Sequence, residues 1–321
     1  MRIVESLAIL RPDPLGIHTE LPLTGTFYPL GFPLHLATNS RDVIAAATES
    51  WQDWAPEHTA EPLQLRVFVS PEGPVSGPGA HRKYGHLYSV VSDDHNFAQV
   101  DFRSRLAVIH VSQATASDHG ALRWLYVESL AYLLLCQREV IMIHAGCVVR
   151  NGRGVLLCGS STAGKSTLAY ACARAGWTWL SDDCACLLPG APELTVFARS
   201  TTARFRTDAP DLFPELEAFS TRLRPTGKIG IEVPLDEVPG ISTTRRAAIH
   251  AIVFLDRAPG RPGLESLSPE EAYDRLLADM PTYGPEVDPI HESAVRRLAQ
   301  APAYCLHYQS IEAGITLLGH L

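Results

Sequence analysis

The sequence predicts an α/β layered domain around a phosphate-binding loop, preceded by a smaller mixed α+β domain. In "VLLCGSSTAGKSTLAYACARAG" (155–176), an apolar run enters a Gly/Ser loop that opens into a helical pattern closed by Gly176. "NGRG" (151–154) is a tight-turn signal between two strand-like runs just upstream. Periodicity also changes along the chain. Short β-branched runs dominate the first part, and a strand, loop, helix, strand order follows, as in an α/β layer. These changes place the N-terminal domain at 1–137 and the phosphate-loop domain at 138–321.

In the first domain, "SRDVIAAATESWQDW" (40–54) has helical spacing with Ser40 as N-cap. Strands are expected at 63–69, 85–92, 97–102 and 106–112, from their β-branched and aromatic content. The Gly/Pro-rich stretch 70–83 reads as a loop, and 117–137 as a largely buried helix that Ser117 or Asp118 can cap. In the second domain, "EVIMIHAG" and "CVVR" flank the approach to the "NGRG" turn, and "WTWLSDDCACLL" reads as one strand. A further strand lies in 245–257, a capped helix spans 268–279, and a last strand 303–309.

With 321 residues, 46% apolar and 19% charged, the chain has material for two cores. The net charge of −8 and the lack of a basic stripe argue against a nucleic-acid partner. "MRIVESLAIL" does not read as a secretory signal. The most apolar stretch, 125–149, is interrupted by Glu128, Arg138, Glu139 and His144, so a cytoplasmic protein without a membrane partner is expected. Seven scattered cysteines read as reduced, mostly buried thiols, with Cys184 and Cys186 alternating along a strand.

Gly159, Gly164, Lys165 and Ser166 satisfy the G-x-x-x-x-G-K-[ST] pattern between a strand and a helix. The residues Gly159, Ser160, Ser161, Thr162, Ala163, Gly164, Lys165, Ser166 and Thr167 would then wrap a nucleotide phosphate with inward-facing amides. The helix would present its positive end, Lys165 would neutralise β/γ charge, and the Ser166 hydroxyl would ligate Mg²⁺. Asp182 and Asp183 end the next strand. A carboxylate there can hold Mg²⁺ directly, support it from behind, or take the proton of a hydroxyl acceptor. Lys228, Arg204 and Arg206 are cations able to contact phosphate or substrate, or simply solvated side chains. Asp256, ending "AIVFLD", has the pattern of a second-metal acid, but with Asp182 and Asp183 filling that role it is read as a structural strand end.

"IHAG" (143–146), "GSSTAGKST" and "WLSDD" together resemble the core of the HPr kinase/phosphorylase family. The spacing agrees, with 21 residues from His144 to Lys165 and 18 from Lys165 to Asp183, and the resemblance spans about 45 residues. It implies a phosphate-loop kinase domain related to that of phosphoenolpyruvate carboxykinase, using ATP and Mg²⁺. Asp183 would be the general base, assisted by His144, with Asp182 beside the metal. The chain lacks the E-I-R-G-x-G signature of the true enzymes and carries Thr167 where they have an acid. It therefore resembles diverged relatives that phosphorylate other hydroxyls, such as the C-terminal serine of lasso-peptide precursors or free serine. Such relatives often assemble as homo-oligomers. The expected acceptor is a hydroxyl of a peptide, protein or small molecule, recognised by the N-terminal domain. Two other readings stand beside this one: a nucleotide-binding regulatory or scaffold protein without transfer, and chemistry using pyrophosphate.

Overall fold

The computed structural model describes residues 19–191, 193–223, 229–257 and 262–321. Two compact units result, one ending at Leu134 and the other running Leu135–Leu321.

The first unit is a seven-stranded sheet: β1 (Leu23–Phe27), β2 (Leu34–Thr38), β3 (Leu63–Ser70), β4 (Ala80–Tyr84), β5 (Leu87–Val91), β6 (Phe97–Asp101) and β7 (Leu106–Ser112). The spatial order is β1-β2-β3-β7-β6-β5-β4. β2–β3 and β3–β7 are parallel, the other pairs antiparallel. Helix α1 (Arg41–Trp51) makes the crossover from β2 to β3, and its Ser40 cap accepts a bond from the Asp42 amide. β4 lies within the stretch expected to be a loop. All five of its side chains are exposed, so an apolar alternation could not announce it.

The helix expected at 117–137 is found from His119 to Leu135, capped by Asp118 as its sequence allows. Residues Gln113–Ser117 (α2), His119–Leu122 (α3) and Glu128–Leu135 (α4) are helical, with a wider π-type turn at Arg123–Val127. Asp118 leaves helical geometry (φ −86°, ψ 83°) and uses its side chain to cap α3 at the Ala121 amide. An Asp side chain bonding a first-turn amide starts a helix there, which sets α2 apart from the helix that follows.

In the second unit, β8 (Ile141–Ile143) leads into β9 (Ala145–Arg150), and β10 (Arg153–Cys158) returns antiparallel to β9. Asn151 and Gly152 make the turn with φ of 52° and 76°, as the "NGRG" signal requires. Then come α5 (Lys165–Arg174), β11 (Thr178–Ser181), β12 (Ala185–Leu187), β13 (Thr195–Ala198), β14 (Thr202–Phe205), β15 (Thr221–Leu223), β16 (Ile229–Pro234), β17 (Ser242–Thr243) and β18 (Arg246–Asp256). The unit ends with β19 (Gly263–Leu267), α6 (Pro269–Ala278), α7 (Asp288–Leu298), β20 (Ala303–His307) and α8 (Ile311–Leu318). The main sheet runs β17-β11-β9-β10-β18-β13-β12-β8, with β20 joining β18 to β19. β14, β16 and β15 form a separate antiparallel sheet.

The main sheet is buried on both faces, so β10 and the middle of β18 read as continuous apolar runs. On one face Leu157, Leu168, Trp179, Val253 and Leu306 pack with α5 and α8; on the other Leu156, Ile252, Leu276 and Leu298 pack with α6 and α7. Tyr170 of α5 is fully buried, edge-on to Phe205 and Phe213 with ring centroids 5.0 and 4.8 Å away. That packing joins the helix behind the phosphate loop to β14 and the turn after it.

The expected strand "WTWLSDDCACLL" is two strands. β11 pairs with β9 and β12 with β8, and the chain shifts between them at Asp182–Cys184. The "EVIMIHAG" run shifts likewise at His144, between β8 and β9. Cys186 therefore lies on a strand and Cys184 in the break. All seven cysteines are free; Cys184 is half-buried and the other six are buried. Among the described residues no helix is long and apolar enough to cross a membrane.

Candidate active site

The two breaks in the strands face each other. Ser181 is paired with Cys147 on one side and Ala185 with Ile143 on the other, so His144 and the Asp182–Asp183 pair come together. Ser181 holds the second break: its hydroxyl donates to the Cys184 carbonyl at 2.7 Å and accepts from the Cys184 amide at 3.1 Å. Gly146 allows the close approach. A Cβ there would stand 3.3 Å from the carbonyl oxygens of Ser181 and Asp182.

His144 is held by two carboxylates. Its Nε2 lies 3.0 Å from Asp183 Oδ1 and its Nδ1 2.9 Å from Asp279 Oδ2. A neutral imidazole carries one N–H, so two carboxylate acceptors favour the imidazolium. The His144 pKa is accordingly raised, chiefly by the Asp183 bond, and that of Asp183 is lowered, chiefly by the bond from His144. Asp183 is the exposed member, its side chain 65% accessible, so its carboxylate is open to solvent.

Asp182 is the opposite case. It is buried, and its Oδ2 accepts the Arg204 amide at 2.9 Å. Burial pushes its pKa up to about 6, against the pull of the Arg204 amide and charge. Two adjacent aspartates thus titrate in different pH ranges because their environments differ.

The phosphate loop joins β10 to α5. Gly159 (φ +145°), Thr162 (φ +73°) and Gly164 (φ +97°) take positive-φ conformations that curl the loop, and the Ala163 amide closes a turn on the Ser160 carbonyl at 3.1 Å. Gly164 precedes α5, and no side chain caps that helix, so its first amides face the loop. Lys165 is buried, and its Nζ donates to the carbonyls of Gly159 (2.7 Å) and Ser160 (3.2 Å). Burial lowers its pKa, while the charges of Asp183 and Asp279 raise it. A buried ammonium held by its own loop's carbonyls is poised to swap them for phosphate oxygens. Ser160, Ser161 and Thr162 are exposed, while Ala163, Ser166 and Thr167 are half-buried at the start of the helix.

The donor set fits Mg²⁺ with a nucleotide. Uncapped helix amides and Lys165 suit phosphate, and the Ser166 hydroxyl with the buried Asp182 carboxyl are hard oxygen ligands. Bound there, Mg²⁺ would neutralise charge on the phosphates.

Of the other cations, Arg204 belongs to the cluster. Its backbone and charge act on Asp182, its charge acts on Asp183, and its guanidinium pairs with Glu232 at 3.3 Å. Arg206 is exposed, 3.6 Å from Asp208, and the structure shows no contact between it and the cluster. Lys228 lies outside the described residues. The sequence reading missed Asp279, the C-cap of α6, because nothing in a helix's last residue announces a histidine 135 positions earlier. Tyr308 was also missed. It stands beside the loop, its hydroxyl 3.4 Å from the Ala163 carbonyl, with the Arg257 guanidinium 5.8 Å from its ring.

The family described as SynChlorMet cassette protein ScmC matches residues 108–208, less than a third of the chain. No curated protein matches. Among solved structures the chain is similar to the Hpr(Ser) kinase/phosphatase from Coxiella burnetii. The identity is 16%, the match covers 56% of this chain and 94% of that one, and the TM-score is 0.32. A likeness of that size supports no inference about activity.

Proposed function

We propose that this protein is an ATP- and Mg²⁺-dependent phosphotransferase acting on a hydroxyl, most plainly a serine of a peptide, protein or small molecule. The observation that carries this reading is the Asp279–His144–Asp183 chain beside Lys165. Simple nucleotide binding needs the loop and the lysine. It does not need an ionised, exposed carboxylate whose partner is locked by a second acid. The resemblance of His144, the loop and the Asp pair to the HPr kinase family supports the same reading.

In the transfer, the acceptor oxygen bonds to the γ-phosphorus as the bond from that phosphorus to the β–γ bridging oxygen breaks. ADP leaves, and the hydroxyl proton passes to Asp183. The depressed pKa makes Asp183 a modest base. That is enough, because loose phosphoryl transfer asks mostly for alignment and late proton uptake. Lys165 and the loop amides hold the phosphates, and Arg204 keeps Asp182 positioned beneath them. His144 holds Asp183 in one orientation. We assign acceptor recognition to the N-terminal unit and cytoplasmic residence to the chain.

The test is to offer γ-labelled ATP or labelled pyrophosphate with Mg²⁺, alongside free serine and serine-containing peptides. Label from ATP on an alcohol supports the proposal. Tight ATP binding with no transfer to any acceptor favours a nucleotide-binding regulatory protein, and label from pyrophosphate alone makes the donor wrong.

A further inference from the structure

Strands β18 and β20 end, and the adjacent β19 begins, near the start of the phosphate loop. On one face they carry Asp256, Cys305, His307 and Glu265. The register makes this so: Asp256 pairs with His307, and Glu265 pairs with Cys305, two residues before His307 on the same strand. One ligand atom each from Asp256, Cys305 and His307 lies within 4.8 Å of the others. Cys305 is 5% exposed, while the Asp256 and His307 side chains are half-open to solvent.

We infer that Asp256, Cys305 and His307 form a binding site for a borderline divalent transition metal, zinc above all, separate from the nucleotide's Mg²⁺. The donor set decides the metal class. A thiolate and an imidazole are poor ligands for Mg²⁺ and good ones for Zn²⁺, and three protein ligands plus water complete a tetrahedron. Ligand atoms around tetrahedral Zn²⁺ stand roughly 3.3–3.8 Å apart, given bonds of about 2.0–2.3 Å. The Asp256 Oδ2 to His307 Nδ1 distance is already 3.3 Å. Closing the rest needs only small rotations of half-open side chains.

The fourth residue, Glu265, supplies the independent indication. His307 Nε2 lies 3.4 Å from Glu265 Oε2, on the side of the ring away from Asp256. A metal-bound histidine characteristically gives its other N–H to a carboxylate, which fixes the ring and raises its donor strength. Metal binding releases the Cys305 proton to solvent, leaving a thiolate ligand. The bound ion would tie the ends of β18 and β20 together where Leu255 backs Gly159 of the loop, the Leu255 carbonyl lying 3.5 Å from a Cβ built on Gly159.

The test uses the purified full chain, stripped with a chelator and titrated with Co²⁺ as a spectroscopic substitute for Zn²⁺. The inference expects one equivalent bound, a thiolate-to-cobalt absorption band, its displacement by Zn²⁺, and a higher Tm with metal. The band should vanish in Cys305→Ser. Affinity should fall at least about 10-fold in Asp256→Asn and His307→Gln, and about 10–100-fold in Glu265→Gln. If Cys305→Ser does not fold by circular dichroism, the other three variants decide. A band that persists in folded Cys305→Ser would assign it to other thiols and overturn the site. So would unchanged affinity in the Asp256 and His307 variants, or no binding by folded wild type.

Discussion

The site's working parts are single residues whose charge states are set by their neighbours, and those states can be tested. His144 has its pKa raised above 6.5, mainly by Asp183, and Asp183 has its own lowered below 3.8 by His144. A raised histidine stabilises fully below its unfolded value and loses that contribution as pH rises through the folded one. The lowered Asp183 keeps its half of the pair ionised throughout that range. The urea midpoint of the wild type should therefore exceed that of His144→Gln near pH 6, with the gap closing as pH rises above neutral. Asp182, pushed to about 6 by burial, is partly protonated at that pH. Binding Mg²⁺ with nucleotide should expel the proton, so the calorimetric heat at pH 6 depends on the buffer's ionisation enthalpy and at pH 8 does not. Asp182→Asn should abolish the difference. Asp279→Asn frees one side of His144; the prediction is a fall in transfer rate with the Kd for ATP unchanged, and a parallel loss of both would remove Asp279 from any positioning role.

At the scale of elements, the loop between β10 and α5 depends on glycine geometry and on the anchoring of the helix behind it. A Cβ at Gly164 would stand 3.0 Å from the Tyr308 hydroxyl, at φ +97°. Gly164→Ala should cost about 1–2 kcal/mol in backbone strain, lower the Tm, and weaken ATP binding more than it weakens folding. Tyr170→Ala removes the ring that α5 packs against Phe205 and Phe213, an aromatic truncation expected to cost about 3–5 kcal/mol in chemical denaturation. The loop, α5 and the hairpin before it were legible in the sequence because each rests on local chemistry: a Gly-Lys-Ser spacing, a closing glycine, an Asn-Gly turn. His144 and the Asp182–Asp183 pair read as strand ends. What was not legible is that a new strand starts directly after each, and only cross-strand pairing shows that both runs shift at the same place. β4 failed for a related reason, since an exposed edge strand carries no apolar alternation, and nothing in the helical pattern before β8 announced the wider turn at Arg123–Val127.

For the whole molecule, a division into a strand-rich first part and an α/β second part was readable from the change in periodicity. What sequence could not supply was every relation between distant strands and helices. Asp279 meets His144 because α6 packs on the sheet face beside the loop. Asp256 meets Cys305 and His307 because β18 and β20 lie side by side, which turned an apparent strand end into part of a ligand cluster. Arg206, which looked equivalent to Arg204 two residues away, is exposed beside Asp208 instead. The account as a whole rests on one claim, that a bound nucleotide's phosphate is transferred with Asp183 taking the acceptor's proton. The most direct measurement compares wild type and Asp183→Asn by ATP binding and by single-turnover transfer from γ-labelled ATP to a hydroxyl acceptor. The account predicts a Kd for ATP unchanged within a few-fold and transfer slowed by about 10²–10⁴. Equal transfer by both proteins, or loss of binding in step with loss of transfer, would contradict it.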